Sequence, residues 1–246
     1  FTQTLPSGAV LQKAGLLQNY QLQLFWSAPG DDQNTSILYN EILDLNSSGI
    51  IRSAASTSRG LLIGTTFADT LTVASTQSIV EGGPGADRLT STYYLADGIL
   101  SYEHSSAGVA VNLATGATSG GDAAGDVIVG FSSIIGSPSA DNLTGNAKDN
   151  GFWGGGGNDV IVGGGGNDTA YYSGDFDFFR VIANPNGTFS VQDIRPESPE
   201  GTDTVSGIHL VNFNGESMTI ENAVLSSLYV PVITSGAHAS ISENTS

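Results

Sequence analysis

The sequence predicts an all-β fold in which short strands stack as a solenoid. Glycine accounts for 33 of the 246 residues, nearly twice its usual share of about 7%. Aspartate outnumbers glutamate by 16 to 8, and glycine and aspartate both favour turns over helix interiors. A nine-residue pattern of glycine, aspartate and an apolar residue recurs in two parts of the chain. These features argue against a helical bundle, while a hydrophobic content of 39% is enough for a core.

The clearest repeat is Gly-Gly-x-Gly-x-Asp, whose three complete copies begin at Gly82, Gly154 and Gly163. Weaker copies in the same nine-residue frame begin at Gly64, Gly136 and Gly145. A large apolar residue recurs at the eighth position of the repeats, as Leu71, Val80, Leu89, Leu143, Phe152 and Ile161. The exception is the small residue Ala170. The alternative is a flexible Gly/Asp linker. A linker has no reason to keep an apolar residue at every ninth position, so the pattern favours a folded repeat.

Each nonapeptide is predicted to form a six-residue turn followed by a three-residue strand. Glycines let the turn coil tightly and aim carbonyl oxygens at one point, and the sixth-position aspartate adds a hard anionic oxygen. Two nonapeptides make one coil of 18 residues, so turns on one side stack at a spacing of about 4.8 Å. Calcium takes six to eight oxygens at about 2.3–2.6 Å and tolerates irregular geometry. The sequence therefore predicts Ca²⁺ between stacked turns.

The pattern closely resembles the repeats-in-toxin (RTX) family, also called haemolysin-type calcium-binding repeats. The resemblance is strong over residues 64–90 and 136–171 and looser over 101–126. It returns at Gly201-Thr202-Asp203-Thr204, just before Val211-Asn212-Phe213. The resemblance implies a right-handed parallel β-roll with a β-hairpin cap at its C-terminal end and a small β-rich segment at its N-terminal end.

The resemblance also implies a ligand set, in which one turn supplies oxygens from its second, fourth and sixth positions and the next from its first, third and sixth. The expected ligands are Ser137, Ser139 and Asp141 with Gly154, Gly156 and Asp159 at a first site; Asn146, Lys148 and Asn150 with Gly163, Gly165 and Asp168 at a second; Thr65, Phe67 and Asp69 with Gly82, Pro84 and Asp87 at a third; and Gly155 and Gly157 with Asp177 at a terminal half-site.

Three departures from the family pattern affect these sites. Asn150 replaces an aspartate and removes a charge, so the second site is expected to bind more weakly. The turn that begins at Gly64 keeps only one of its three glycines, which weakens the prediction of the third site. Asp126 falls out of register with residue 136 and is interpreted as a turn residue rather than a ligand.

The chain divides into four predicted parts. Residues 1–60 form a β-rich segment with strands near 20–26 and 37–45 and an acidic turn at 31–34. This segment is similar to units found upstream of such repeats and equally to one edge of a β-sandwich, and both readings stay open. Residues 61–171 form the solenoid, which can continue without metal through the 45 residues from 91 to 135.

The third part, residues 172–226, is predicted to be an aromatic β cap. It has hairpin signals at Asn184-Pro185-Asn186-Gly187 and Asn214-Gly215. Residues 227–246 are predicted to be a linker and the first strand of a cadherin-like or immunoglobulin-like module. The first residues show no signal-peptide pattern, and the chain is expected to be a piece of a longer protein.

Composition excludes several classes of function. The chain has no cysteine, so disulfide scaffolds, thiolate zinc sites and cysteine nucleophiles are excluded. A net charge of −17 with two lysines and five arginines makes nucleic acid an improbable partner. No apolar run in the sequence is long enough to predict a membrane-spanning helix. The three histidines lie far apart and no catalytic motif is present, so we expect no enzymatic activity.

The resulting expectation is a calcium-binding structural module of a secreted or cell-surface bacterial protein. The resemblance implies export by type I secretion machinery and folding on Ca²⁺ binding outside the cell. The tail from Pro231 favours an adhesin, which would contact glycans or another cell-surface target. The alternative is an accessory, non-catalytic module of an extracellular enzyme, such as a protease or a polysaccharide-modifying enzyme.

Overall fold

The fold is described from a computed structural model that covers residues 10–17, 21–29, 36–44, 52–56, 61–73, 78–92 and 98–227. Side chains are described from residue 61 onward. The predicted acidic turn at 31–34 and the predicted module start from residue 231 lie outside these ranges. In the described ranges, no helix is long and apolar enough to cross a bilayer.

Short β-strands dominate the described residues, as the composition predicts, and the all-β class is confirmed. The strands in chain order are β1 Val10–Leu17, β2 Gln21–Pro29, β3 Ser36–Asp44, β4 Arg52–Ser56, β5 Leu61–Ile63, β6 Thr70–Val73, β7 Ile79–Glu81, β8 Arg88–Ser91, β9 Gly98–Ser101, β10 Ala110–Asn112, β11 Ala117–Ser119, β12 Val127–Val129, β13 Phe131–Ile135, β14 Asn142–Thr144, β15 Gly151–Trp153, β16 Val160–Val162, β17 Thr169–Tyr172, β18 Phe179–Ala183, β19 Phe189–Asp193, β20 Thr202–Ser206, β21 Leu210–Phe213 and β22 Glu216–Thr219. One α-helix, α1 Ile220–Ser227, and two 3-10 helices, Gly121–Ala123 and Phe176–Phe178, complete the described elements.

The strands form three sheets. The N-terminal sheet has the order β1-β2-β3-β4-β6-β8-β12, and the C-terminal sheet has the order β11-β10-β14-β16-β20-β19-β18. A long sheet, β22-β21-β17-β15-β13-β9-β7-β5, contains strands from both repeat regions. All three sheets mix parallel pairs with antiparallel pairs, and the antiparallel pairs lie toward the sheet ends.

In the repeat region, consecutive strands belong to alternate sheets. Strands β14 and β16 pair in parallel in the C-terminal sheet, with Leu143 opposite Ile161. Strands β15 and β17 pair in parallel in the long sheet, with Phe152 opposite Ala170. In both pairs the partner residue is two nonapeptides further along the chain. One nonapeptide therefore carries the chain from one sheet to the other, and the next one returns it.

The eighth-position residues line the core. Leu71, Val80, Leu89, Leu143, Phe152 and Ala170 are fully buried, and Ile161 is 1% exposed. They belong to one hydrophobic cluster that includes side chains from all three sheets. Each three-residue strand thus contributes one central side chain to the interior, which is why the apolar residue recurs at intervals of nine.

The segment 91–135 departs from the expected nine-residue units. The long sheet continues through it, but Leu100 on β9 is paired with Ile134 on β13, which lies well beyond the span of two nonapeptides. On the opposite side the N-terminal sheet ends at β12, and the C-terminal sheet begins with the antiparallel pair β10–β11. The extra residues between β9 and β13 form this hairpin and a 3-10 turn, so the spacing of nine is lost.

The N-terminal strands extend the first sheet. Strands β1 to β4 form an antiparallel meander, and β4 pairs in parallel with β6, with Ala54 opposite Leu71. The strands predicted near 20–26 and 37–45 are present as β2 and β3. The backbone of this segment therefore joins the same sheet as the first repeats.

The C-terminal elements contain both predicted hairpins. Strands β18 and β19 pair across the turn at 184–187, and β21 and β22 pair across Asn214 and Gly215. Both residues of the second turn have positive φ, at 49° and 94°, as a type I′ hairpin turn requires. Four rings, those of Tyr172, Phe176, Phe179 and Phe213, pack with centroid distances of 4.9–5.4 Å. Helix α1 packs against β18 and was not predicted from the sequence.

We predict that Phe152→Ala lowers the free energy of unfolding by about 3–5 kcal/mol, because it leaves a cavity in a fully buried position. The matched control is Val160→Ala on the neighbouring strand, since Val160 is 43% exposed, for which we expect a change within about 0.5 kcal/mol. The measurement is urea denaturation in a calcium-containing buffer. Similar losses in the two variants would contradict the assignment of the core.

Candidate metal sites in the stacked turns

The six-residue turns that precede the strands stack in pairs. We name each turn by its first residue, which gives turns 64, 82, 136, 145, 154 and 163. A Cβ atom on Gly64, Gly136 or Gly145 would clash with the carbonyl oxygen of Gly82, Gly154 or Gly163, respectively. Turn 64 therefore lies on turn 82, turn 136 on turn 154, and turn 145 on turn 163.

Glycine is needed where the backbones of two stacked turns come close together. Gly155 has a φ of 90°, which side-chain-bearing residues rarely adopt. A Cβ atom on Gly155 would also clash with the carbonyl oxygen of Ser137 in the turn below. The second glycine of the motif thus allows both the backbone conformation and the close approach of two turns.

The sixth-position residues form a ladder of hydrogen bonds between stacked turns. The backbone N–H of Asp141 donates to Oδ1 of Asp159 at 2.8 Å. The same bond, also at 2.8 Å, joins Asn150 N to Asp168 Oδ1 and Asp69 N to Asp87 Oδ1. In all three pairs the residues are 18 positions apart. The spacing predicted from the sequence therefore brings these side chains together.

The turns are of two kinds, which differ in whether the turn itself donates a hydrogen bond to the side chain of its sixth residue. In turns 64, 136 and 145 the second residue has a polar side chain, and its backbone N–H donates to the sixth residue. These bonds join Thr65 to Asp69, Ser137 to Asp141 and Asn146 to Asn150. In turns 82, 154 and 163 the second residue is glycine. Oδ2 of Asp87, Asp159 and Asp168 in those turns is buried and has no hydrogen-bond partner.

Burial changes the proton affinity of these carboxyl groups. Loss of hydration raises the pKa of Asp87 to about 7 and that of Asp159 to about 7. It also raises the pKa of Asp168, and the charges of neighbouring aspartates contribute to the rise for Asp87 and Asp159. Each of the three residues is at most 1% exposed. Such a group needs a positive charge nearby, from either a proton or a cation.

The donor set fits Ca²⁺. Carboxylate and carbonyl oxygens are the ligands that this hard cation prefers, and an unpartnered carboxylate oxygen is present in turns 82, 154 and 163. In the part of the chain with described side chains, no three side chains of His, Cys, Asp or Glu converge as a metal cluster. A cation here would therefore take most of its ligands from backbone carbonyls, as the glycine-rich turns allow.

The structure places the predicted ligands of the first three sites in contacting turns. The carbonyl oxygens of Ser137 and Asn146 accept hydrogen bonds from Gly156 and Gly165 of the next turn, at 3.2 and 2.9 Å. Phe67 and Lys148 have exposed side chains, but the resemblance assigns them carbonyl ligands, for which the side chain does not matter. Which of these oxygens bind an ion stays a prediction.

The terminal half-site has a different neighbour from the one predicted. Asp177 lies exposed on the 3-10 helix Phe176–Phe178. The backbone N–H of Asp159 instead donates to Oδ1 of Asp203 at 2.9 Å. The regular spacing that suggested Asp177 fails here because the chain forms the β18–β19 hairpin before it returns to the stack.

Asp126 also continues a ladder, although its sequence register suggested a plain turn residue. The backbone N–H of Asp87 donates to Oδ1 of Asp126 at 2.8 Å, and the hydroxyl of Tyr102 donates to its Oδ2 at 2.9 Å. A glycine one residue before the aspartate, Gly125, was a weak signal of this role. The signal was missed because 39 residues separate the two aspartates.

Comparison with known proteins identifies the repeats. Residues 135–170 match the family model of the RTX calcium-binding nonapeptide repeat in four copies. This range contains turns 136, 145, 154 and 163, so the resemblance seen in the sequence is confirmed for this block. RTX calcium-binding repeats bind Ca²⁺ and typically occur in secreted bacterial proteins. A search of curated proteins finds no match to the chain.

We predict that Asp159→Asn weakens calcium binding by about tenfold or more, because it removes the charge from an unpartnered buried oxygen (bonds to charged groups contribute roughly 1.5–3 kcal/mol). The matched control is Asp177→Asn, which removes the same charge from an exposed side chain. Calorimetric titration of both variants with calcium checks this. An equal effect of the two substitutions would show that only net charge matters.

We predict that Gly155→Ala destabilises the calcium-bound protein more than Gly187→Ala does. Both glycines have positive φ, at 90° and 82°, so both variants have a similar backbone cost of about 1–2 kcal/mol. A Cβ atom on Gly187 meets nothing within 4 Å, whereas one on Gly155 clashes with the next turn. Thermal melts in calcium measure the difference. Equal melting temperatures would rule out close stacking of turns 136 and 154.

Proposed function

We propose that this chain is a calcium-dependent structural module, a parallel β-roll that assumes its fold when Ca²⁺ binds between stacked turns. The observation that carries the proposal is the set of buried Oδ2 atoms without a partner, those of Asp87, Asp159 and Asp168. The parallel pairing of strands that are two nonapeptides apart supports the β-roll architecture. The right-handed sense of the proposed β-roll is taken from the RTX family.

Electrostatics couple calcium binding to folding. The chain carries 24 acidic residues against 7 basic ones, and the ladder positions hold five aspartates in six turns. Bringing these carboxylates together and away from water is unfavourable without a compensating charge. A cation that binds only the stacked turns supplies that charge, so its binding free energy contributes to folding.

The affinity expected of such sites suits a switch at the cell boundary. Extracellular calcium modules have dissociation constants of about 10⁻⁴–10⁻³ M. The proposed module would then stay unfolded during export, when calcium is scarce, and fold outside the cell. Export by type I secretion machinery is part of the proposal and rests on membership of the repeat block in the RTX family.

We assign the module no catalytic role. The aspartates with raised pKa values lie in the turns, where cation binding accounts for them. The C-terminal hairpins and the four-ring cluster are assigned the role of a cap over the last coil. An adhesin-like parent protein, with a glycan or another cell-surface target, is proposed from the tail sequence after Pro231.

We predict that the full chain lacks most of its β-structure in a chelator and gains it in about 10 mM calcium, roughly ten times the weakest dissociation constant expected of such modules. Magnesium at the same concentration is the control. It should not induce folding, because Mg²⁺ demands near-ideal octahedral geometry at about 2.0–2.1 Å. Far-UV circular dichroism measures both titrations. An identical β-signal in chelator and in calcium would falsify the proposal.

A further inference from the structure

After the last complete repeat, the chain leaves the stack and then returns to it. Strand β17 is followed by the β18–β19 hairpin, and β20 then pairs in parallel with β16. Val160 lies opposite Thr204 and Ile161 opposite Val205, a far larger offset than the two nonapeptides that separate the other paired strands. The loop before β20 therefore occupies the place where the next turn of the solenoid would lie.

This loop copies the contacts of a repeat turn. Asp159 N donates to Asp203 Oδ1 at 2.9 Å, and Thr202 N donates to Asn158 Oδ1 at 2.8 Å. A Cβ atom on Gly201, whose φ is 68°, would clash with the carbonyl oxygen of Gly157. All three contacts join residues that are 44 positions apart. Residues 198–203 thus stack on turn 154 in register, with Asp203 in the sixth position.

Two buried carboxyl groups meet at this junction. Asp159 and Asp203 are each 1% exposed, and Oδ2 of Asp159 has no hydrogen-bond partner. A Cβ atom on Gly154 would overlap Oδ2 of Asp159 and would lie 3.5 Å from Oδ2 of Asp203. Both oxygens therefore border the space beside Gly154, where the missing side chain leaves room.

The environment of Asp203 favours its neutral form when no cation is near. Burial, together with the charge of the neighbouring Asp159, raises the pKa of this carboxyl group to about 8. The hydrogen bond from the backbone N–H of Asp159 lowers the pKa of Asp203 but does not outweigh these two effects. Asp203 thus matches the sixth-position aspartates of the repeats in its burial and in its hydrogen bond to the preceding coil.

Three charged side chains of the cap near this junction, those of Arg195, Asp193 and Glu200, pair with one another. The guanidinium of Arg195 contacts Asp193 at 2.7 Å and Glu200 at 3.4 Å. Glu200 also accepts hydrogen bonds from the backbone and side chain of Ser173. Among the described residues, the ion-pair partners of Arg195 are Asp193 and Glu200, and it forms no ion pair with Asp159 or Asp203. The two buried carboxylates need a different cation.

We propose that turn 154 and the loop 198–203 form a further Ca²⁺ site in which Asp159 and Asp203 supply the carboxylate ligands. This site rests on the proposed calcium-dependent function and deepens it. It completes the half-site of Gly155 and Gly157 with a residue from outside the nonapeptide repeats. Docking of the C-terminal cap onto the solenoid is then itself calcium-dependent.

The opposite side of the last coil serves as an internal comparison. There the carbonyl oxygen of Gly207 lies against Gly163, and the backbone N–H groups of His209 and Leu210 donate to the carbonyl oxygen of Asp168. No carboxylate from the cap joins Asp168 on that side among the described contacts. The cap therefore closes one side with an aspartate pair and the other with backbone hydrogen bonds.

The first test counts bound ions by equilibrium dialysis at about 10 mM calcium, a concentration that saturates millimolar sites. Asp203→Asn keeps an oxygen for the hydrogen bond from Asp159 and should bind one Ca²⁺ fewer per chain than the wild type. The control is Asp193→Asn, which alters a carboxyl group that is similarly buried in the cap but paired with Arg195. This control should bind the wild-type number. An unchanged count for Asp203→Asn would overturn the site.

The second test does not depend on a variant that folds. Crystals of the wild-type chain grown in calcium should show anomalous density bonded to both Asp159 and Asp203, at about 2.3–2.6 Å. Density between turns 136 and 154 and between turns 145 and 163, with none at Asp203, would overturn this site and leave the proposed function intact. An absence of ions from every turn would overturn both.

Discussion

The stack of turns depends on one constraint, which is how the sixth-position aspartate is satisfied after it leaves water. Its Oδ1 accepts a hydrogen bond from the backbone of the turn one coil earlier, as Asp159 does from Asp141. That bond sets the register between coils. Its Oδ2 is left without a protein partner in turns 82, 154 and 163. The same side chain therefore links neighbouring coils through one oxygen and leaves the other buried oxygen open to a proton or a cation.

Complete and degenerate repeats differ in how the side chain of their sixth residue is hydrogen-bonded. Where the second residue is threonine, serine or asparagine, the turn supplies hydrogen bonds of its own to the sixth residue, as Ser137 does to Asp141 through its backbone at 2.5 Å and its hydroxyl at 2.8 Å. Where it is glycine, the carboxylate oxygen stays open. Each predicted site pairs one turn of each kind, since turns 64, 136 and 145 lie on turns 82, 154 and 163. Sequence degeneracy thus places, in each stacked pair, a hydrogen-bonded turn against a turn whose carboxylate oxygen is open.

The ladders end in three different ways. The first ladder ends at Asp126, which accepts hydrogen bonds from the backbone N–H of Asp87 and from the hydroxyl of Tyr102. A neutral donor therefore satisfies the last carboxylate of this ladder. The ladder through Asn150 ends at Asp168, whose backbone carbonyl accepts hydrogen bonds from the backbone N–H groups of His209 and Leu210. The ladder through Asp159 ends at Asp203, whose carboxyl group is buried beside that of Asp159. At this third end, two buried carboxyl groups lie on adjoining turns. It is also the point at which the chain returns to the stack after the β18–β19 hairpin.

The sequence by itself determined the features that repeat over short distances. The spacing of nine places Leu143, Phe152 and Ile161 in the core, the sixth-position aspartates in ladders, and the Asn-Gly turn at 214–215 in a hairpin. These follow from turn chemistry and from the alternation of strand faces, which act within a few residues. The tertiary structure alone decided where the strands pass from the N-terminal sheet to the C-terminal sheet, between β10 and β12, that Asp203 rather than Asp177 meets Asp159, and that Asp126 joins a ladder. Those contacts span 39 to 44 residues, across insertions of irregular length. Gly201-Thr202-Asp203-Thr204 resembles the repeats in sequence, but its local pattern does not specify which earlier turn and strand it meets.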